Sequence, residues 1–323
     1  MMGKKAKKWL IAAASLVVLG MIILVLTAHF ADWDFIKFDT GRYETNTYEV
    51  NQEFINISIK TDIADVVFAP SDDEICKVVC YEDKNMKHTV SVVDDELTVN
   101  VVDTRKWYEF IGINFRTQKI TIYLPESEYS SLIIKESTGD IEIPNDFKFN
   151  SINVSVSTGN VKSNASATEE IKISTSTGDI NLEEFSVNSL NLSVSTGKIT
   201  VSDATCKGDV TVSVSTGKAY LTGVSCKNVI SIGDTGDIYL NNVIALEKFS
   251  IKRDTGDVSF ERCDATEIFV ETDTGDVKGS LLSEKIFIVN TDTGKKVFPN
   301  TTTGGRCEIT TDTGDISLEI ADR

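Results

Sequence analysis

A Thr-Gly pair that recurs ten times is the feature that most restricts the fold of this chain. The repeat glycines are Gly139, Gly159, Gly178, Gly197, Gly217, Gly236, Gly256, Gly275, Gly294 and Gly314. The nine spacings between them are all 19 or 20 residues. A period this regular indicates a repeat architecture, in which each copy is one supersecondary unit that packs on its neighbours.

Apolar residues occupy fixed positions around each repeat glycine. The residue seven positions before it is apolar in all ten copies, and the residues five before and two after are apolar in nine of ten, with Ser231 and Lys296 as the exceptions. This alternation has a period of two, which indicates strands with one buried face. A propeller blade needs about 40–50 residues, so a unit of about 20 predicts an all-β chain folded as a parallel β-solenoid, or β-helix. The glycine is expected to supply a positive φ at a tight turn.

The solenoid is predicted over residues 126–323, and residues 45–125 are predicted to form an N-terminal β cap or degenerate first coils. A cap is expected because an open solenoid end exposes unpaired strand edges. The strand-like runs of this region are Phe54–Lys60, Val66–Ala69, Ile75–Tyr81, Lys87–Val93, Leu97–Val102 and Lys119–Leu124.

The N-terminal segment predicts a single membrane-spanning helix. Four lysines lie within residues 1–8, and the uncharged, apolar run 9–30 follows them. Roughly 20 apolar residues span a bilayer as a helix, and the basic flank stays in the cytoplasm. Residues 1–8 are therefore expected to be a cytoplasmic tail, 9–30 the anchor and 31–44 a tether to an extracellular domain. A cleaved signal peptide is the alternative, although its apolar region is normally shorter.

Charge argues against nucleic acid as a partner. Residues 32–323 hold 28 basic and 49 acidic groups, whereas nucleic acid requires basic patches. The six cysteines form no CxxC pair and only two histidines are present, so a zinc site is not expected. No cofactor is predicted, with calcium as the one ion considered.

A column of acidic residues is the reason that calcium is a candidate ligand. Two positions before the repeat glycine, the first five copies carry Ser and the last five carry Asp234, Asp254, Asp273, Asp292 and Asp312. Further aspartates follow the glycine in several copies. Stacked carboxylates repel one another, so either turn amides and water stabilise them or calcium bridges them. Both interpretations stay open at this point.

One apolar segment interrupts the predicted cap between two strands. It contains Trp107, Tyr108, Phe110, Ile111 and Phe115. Such a run is either a loop folded over the solenoid end or an exposed patch for a membrane-protein partner.

The chain resembles the "putative adhesin" family of bacterial repeat domains, found on Gram-positive membranes and of unknown function. The resemblance is carried by Asp62-Ile63-Ala64-Asp65-Val66, by Lys119-Ile120-Thr121-Ile122-Tyr123-Leu124-Pro125 and by the Ser-Thr-Gly-Asp-Ile motifs from Ser137 onward. It covers roughly residues 45–323 and implies a surface-exposed solenoid, in some cases associated with envelope stress, without catalytic residues.

These observations predict a protein of the cell surface that binds or scaffolds in the envelope, with a glycan or a membrane protein as the expected partner, and that is not an enzyme. Two alternatives stay open. One is a regulatory module of an envelope-stress pathway that acts through the apolar segment. The other is a carbohydrate-active enzyme, which would need acids that break the repeat pattern, because such enzymes use an acidic pair at one place.

Overall fold

The computed structural model describes residues 4–30, 32–33, 42–72, 74–107 and 116–321. One helix, α1 (Lys4–Phe30), precedes 24 strands that join in one sheet. The helix segment Lys7–Phe30 has a mean hydropathy of 2.8 and is apolar enough to span a membrane or to be a signal sequence. The all-β parallel solenoid predicted from the repeat is confirmed.

Six of the first seven strands match the predicted runs, and the remaining one, β1, begins inside the segment expected to be a tether. The strands before the first repeat are β1 (Tyr43–Val50), β2 (Asn56–Ile63), β3 (Asp65–Pro70), β4 (Cys76–Asp83), β5 (Met86–Val93), β6 (Glu96–Asp103) and β7 (Lys119–Leu124).

The repeats supply the other strands. They are β8 (Glu128–Thr138), β9 (Ile141–Ile143), β10 (Lys148–Thr158), β11 (Val161–Ser163), β12 (Ser166–Thr177), β13 (Ile180–Val187), β14 (Ser189–Cys206), β15 (Asp209–Thr222), β16 (Ser225–Thr235), β17 (Ile238–Asn241), β18 (Ile244–Thr255), β19 (Val258–Thr274), β20 (Val277–Leu281), β21 (Lys285–Thr293), β22 (Lys296–Val297), β23 (Gly305–Thr313) and β24 (Ile316–Ile320).

Each repeat forms one coil that turns a corner at its Thr-Gly pair. Equivalent residues of successive coils pair in parallel, as Ile152 does with Ile171 and Ile171 with Leu190. The apolar columns identified in the sequence therefore stack on one another inside the solenoid, and nearly all their members are buried. Burial of these columns is the main stabilising contribution, because one coil cannot cover its own apolar face.

The corner requires glycine for two reasons. Nine of the ten repeat glycines have φ between 129° and 158°, a region that other residues rarely adopt. In addition, a Cβ at Gly159 would lie 1.8 Å from the carbonyl oxygen of Gly139 in the neighbouring coil. The expected positive φ is confirmed, and the close approach of stacked backbones adds a second constraint that the sequence alone did not indicate.

The N-terminal end is closed by a coil without Thr-Gly and by an antiparallel layer. Strands β2 and β3 form the extra coil, since β2 pairs with β8 and β6 while β3 pairs with β9 and β7. Strand β4 then pairs antiparallel with β1 and β7, and β5 pairs antiparallel with β6. The described strands before the first repeat thus form one coil without Thr-Gly and an antiparallel layer beside it.

At the C-terminal end the last two coils exchange places. Strand β19 pairs with β23, which in turn pairs with β21, so the Gly314 coil lies between the Gly275 and Gly294 coils. The backbone hydrogen bonds at the corner show the same order of coils, because the Gly275 amide donates to the carbonyl of Thr313, 2.9 Å away. The chain therefore skips one place, forms the terminal coil and returns to fill the gap.

A buried arginine explains the exception at Ser231. The guanidinium of Arg253 is 1 % exposed and donates from Nη2 to Ser231 Oγ over 2.7 Å. A Cβ at Gly233 would lie 1.5 Å from Arg253 Nη1. The small residues of one coil therefore make room for the large cation of the next, and burial lowers the pKa of that guanidinium to about 10.

Candidate functional site

A concave surface of about 300 Å³ crosses five successive coils where the connectors meet the strands. Three columns of side chains line it, and we call it the trough. Its first wall is Glu128, Lys148, Ser166, Ser186 and Thr205, its floor is Phe149, Ala167 and Val187, and its second wall is Asn150, Thr168, Asn188 and Lys207. None of these residues belongs to a motif or site predicted from the sequence.

The trough opens where the strand ladder is interrupted. Strand β12 carries one extra residue relative to β10, since Phe149 pairs with Ala167 but Ser151 pairs with Glu170. Such a bulge disrupts the local ladder. On the next coil, the backbone amide of Ser186 donates to the hydroxyl of Ser166 over 3.0 Å. A side-chain acceptor thus replaces a backbone carbonyl, and the two coils separate at this corner.

Two lysines lie on opposite walls of the trough. Lys148 is in register with Ser166, and the amide of Lys207 donates to the carbonyl of Val187. They lie three coil spacings apart, about 14 Å along the axis. Both are exposed, and neither has a salt bridge to any described residue. Other solenoid lysines do pair with acids of adjacent coils, namely Lys162, Lys198, Lys218, Lys227, Lys252 and Lys285.

The trough is chemically suited to a polyhydroxylated ligand. Its walls carry hydroxyls and carboxamides, which both donate and accept hydrogen bonds. Its floor is nearly covered, with Phe149, Ala167 and Val187 between 1 % and 5 % exposed. The exposed lining of the trough is more apolar than polar. A ligand that fits it therefore has apolar faces as well as hydrogen-bonding groups, as the rings of a sugar chain do.

The residue after each repeat glycine forms a hydrogen-bonded ladder. An Asp or Asn there accepts, through Oδ1, the backbone amide of its counterpart in the next coil. One run joins Asp65, Asp140, Asn160, Asp179 and Lys198, and the other joins Asp237, Asp257, Asp276, Asp315 and Lys295, all at 2.7–3.0 Å. Each run ends at a lysine, because a lysine side chain cannot accept.

The five aspartates considered for calcium lie elsewhere on the corner. Asp234, Asp254, Asp273, Asp292 and Asp312 are all exposed. The hydrogen bonds to turn amides expected from the sequence are made by the position after glycine instead. Among the described residues no three oxygens of this column lie within 4.8 Å of one another. A calcium site on these side chains stays a prediction.

The apolar segment proposed as a partner patch is described only at its start. Trp107 is 77 % exposed. Tyr108, Phe110, Ile111 and Phe115 lie outside the described residues. The choice between a folded loop and a docking patch therefore stays a prediction.

A buried polar network joins the cap to the extra coil. His88 Nδ1 lies 2.7 Å from Glu82 Oε2, and His88 Nε2 lies 2.9 Å from the hydroxyl of Thr61. Asn46 Nδ2 donates to Glu82 Oε1 over 2.7 Å, and the backbone amide of His88 also donates to Glu82. Cys80 lies close enough to complete a Cys-Glu-His cluster. Because the carboxylate already accepts three hydrogen bonds, we interpret the network as structural: it holds the cap against the extra coil.

The cysteines behave as core residues. All six are buried and unpaired. Cys206 and Cys226 lie in adjacent coils, since Thr205 pairs with Ser225, and burial raises the pKa of each thiol to about 12. Packing as small apolar side chains accounts for them.

The fold and the trough define a parallel β-solenoid repeat protein with one apolar N-terminal helix. Within that class, the chain belongs to the Toastrack DUF4097 family, whose model matches residues 54–213 and 198–323. A search among curated proteins gave no sequence match.

Several solved structures are similar to the chain. A "putative adhesin" from Bacteroides fragilis NCTC 9343 is 18 % identical with a TM-score of 0.45, over 74 % of this chain and 97 % of that one. A "putative lipid binding protein" from Parabacteroides distasonis ATCC 8503 is 18 % identical with a TM-score of 0.48, over 75 % and 95 %. A "putative adhesin" from Parabacteroides merdae ATCC 43184 is 14 % identical with a TM-score of 0.46, over 88 % and 98 %.

Proposed function

We propose that this protein is a non-catalytic binding module of the cell surface. In this proposal α1 stays in the membrane, the basic N-terminus faces the cytoplasm, and the solenoid projects outward and binds an extended envelope glycan in the trough. The observation that carries the proposal is the interruption between the Ser166 and Ser186 coils. The trough lies at this interruption, where a side-chain hydroxyl takes the place of a backbone acceptor between the two coils.

The residues of the trough favour binding over hydrolysis. Glycoside hydrolases use two carboxyl groups on either side of the scissile bond. The trough lining includes a single acid, Glu128, together with Lys148 and Lys207. Its hydroxyl and carboxamide groups can hold a sugar chain, but they offer no acid–base pair to cleave it.

Obstruction of the trough tests the proposal. Ser186 is exposed, so Ser186→Trp should fill the trough without disturbing the core. Ser155→Trp is the matched control, since Ser155 is an exposed serine on β10 outside the trough. Full-length protein in detergent micelles would be mixed with envelope fractions from Gram-positive and Gram-negative bacteria and sedimented.

We expect the unchanged chain and Ser155→Trp to sediment with at least one envelope fraction and Ser186→Trp to stay in solution. Circular dichroism melting of the three proteins verifies that each is folded. If both tryptophan variants sediment with the envelope material to the same extent, the trough is not the binding surface. Failure of the unchanged chain to sediment with any fraction would overturn the binding function itself.

A further inference from the structure

We propose that the trough selects anionic glycans, with Lys148 and Lys207 as the residues that recognise the negative charge. This inference rests on the proposed binding function and names the chemical class of its ligand. The charge on the glycan can come from a carboxylate, as in a uronic acid, or from a phosphate diester between sugars.

The positions of the two lysines carry the inference. They lie on different walls of the trough, about three coil spacings apart, with Glu128 one coil before Lys148. A linear chain laid along the solenoid axis would place one anionic group near each ammonium while its hydroxyls meet Ser166, Ser186 and Asn188 between them. The direction of the trough therefore matches a polymer rather than a single sugar.

The charges around Lys148 and Lys207 leave both ammonium groups able to bind an anion. The outer part of the chain has 21 more acidic than basic groups, and cross-coil acids neutralise many of its lysines. Lys148 and Lys207 have no such acid within salt-bridge distance among the described residues. Glu128 lies beside Lys148 in the first wall, so the trough carries one net positive charge in an otherwise acidic protein.

An excess of negative charge outside the trough also gives selectivity. A polyanion is repelled by most of the solenoid surface. Lys135 and Lys172 also lack a salt bridge to a described residue, so the trough is distinguished by having two such lysines within one concave, hydrogen-bonding surface. Binding should then weaken as salt is added, because exposed charges farther apart than about 10 Å are largely screened at 0.1 M ionic strength. A neutral glycan held by hydrogen bonds alone would show little salt dependence.

The test compares charge reversal inside and outside the trough. The variants are Lys148→Glu with Lys207→Glu, and, as a control with the same change in net charge, Lys135→Glu with Lys172→Glu. Both control lysines are exposed and lie outside the trough. The probes are an oligouronate, its neutral methyl ester and a phosphate-linked oligosaccharide, each titrated against the full chain in micelles at low and high salt.

We expect the oligouronate or the phosphate-linked chain to bind more tightly than the methyl ester. The trough reversal should weaken that binding by about tenfold or more and remove its salt dependence, whereas the control pair should have a much smaller effect. Which of the two charged probes binds better identifies the source of the charge.

Two results would overturn the inference while leaving the binding function intact. One is equal affinity for the oligouronate and its methyl ester. The other is sedimentation with envelope material that Ser186→Trp abolishes but the trough reversal leaves unchanged. Loss of binding in the control pair equal to that in the trough pair would also contradict it, since the effect would then follow net charge alone.

Discussion

The carboxylate of Asp276 accepts a hydrogen bond from the backbone amide of Asp315, 39 residues away, at 2.8 Å. The amide of Lys295, which follows sooner in the chain, donates instead to Asp315. The corner ladder thus follows the spatial order of the coils rather than their order in sequence. The same exchange appears in the strand pairing, so the final repeat is held between two coils that precede it.

Spin labels can verify the exchanged order. Asp273, Asp312 and Asp292 are exposed and equivalent in their coils, which makes them suitable labelling sites. The native cysteines should not react, because all six are buried. We expect the pair 273/312 to lie one coil spacing apart, about 5 Å, and the pair 273/292 two spacings apart, about 10 Å.

The measurement is dipolar broadening in electron paramagnetic resonance of the doubly labelled Cys variants. Broadening should be stronger for Asp273→Cys with Asp312→Cys than for Asp273→Cys with Asp292→Cys. Stronger broadening in the second pair would mean that the coils stack in the order of the sequence.

The corner ladder predicts a difference between two neighbouring aspartates. Asp257 accepts the amide of Asp276, whereas Asp254 is exposed and lies outside the ladder. We expect Asp257→Ala to lower the free energy of unfolding by about 1–2 kcal/mol, because a charge-assisted hydrogen bond is lost. Asp254→Ala should be within about 0.5 kcal/mol of the unchanged chain.

Asp257→Asn separates the hydrogen bond from the charge. The ladder already uses Asn160 at the equivalent position, so a carboxamide oxygen can accept the amide there. Chemical denaturation should show Asp257→Asn close to the unchanged chain and Asp257→Ala clearly less stable. Similar losses in Asp257→Ala and Asp254→Ala would mean that the ladder contributes little.

The fold could be predicted from the sequence because the apolar residues that determine it recur with a fixed period. The columns around each Thr-Gly pair determine which residues face inward, and parallel stacking follows from the length of the repeat. The exchange of the last coils could not be predicted, since all ten corners use the same motif. Lys296, polar where nine copies are apolar, lies in the terminal coil and is exposed there, which is the one local trace of its end position.

The trough was missed for a different reason. The trough coincides with one extra residue in β12, and variation in connector length is ordinary in repeat proteins. An extra residue also occurs in β18 relative to both of its neighbours, so connector length alone does not reveal the trough. Similarly, Ser231 stood out as an exception, but its relation to Arg253 depends on which side chain reaches across the coil boundary.

Arg253 and Gly233 should be energetically coupled. Gly233→Ala alone would clash with the guanidinium and should cost more than about 2 kcal/mol. Valine at position 253 removes that part of the clash and leaves the added Cβ 2.7 Å from the carbonyl oxygen of Val214. Val194 and Val214 occupy the equivalent core position in other coils. We expect the double variant Gly233→Ala, Arg253→Val to be more stable than the sum of the single changes by at least about 1 kcal/mol. Additive losses in urea denaturation would contradict direct packing between these residues.

The last prediction concerns a buried carboxyl at the first corner. Glu136 is 6 % exposed and neither of its oxygens has a hydrogen-bond partner among the described residues. Burial raises its pKa to about 8, the adjacent backbone of Ala64 acts with less effect in the opposite direction, and the nearby charges of Asp65 and Asp140 raise it further. The folded state therefore holds this proton more tightly than the unfolded chain does.

Stability should consequently fall as the pH rises from the ordinary glutamate range through about 8, because the unfolded chain loses the proton first. Glu136→Gln lacks this proton, so its advantage over the unchanged chain should be small at pH 4.5 and reach on the order of 4 kcal/mol at pH 8.5. Thermal melts across this range would measure it, with Glu319→Gln, an exposed carboxylate, as the control. A constant difference between Glu136→Gln and the unchanged chain at all pH values would mean that Glu136 is not protonated in the folded protein.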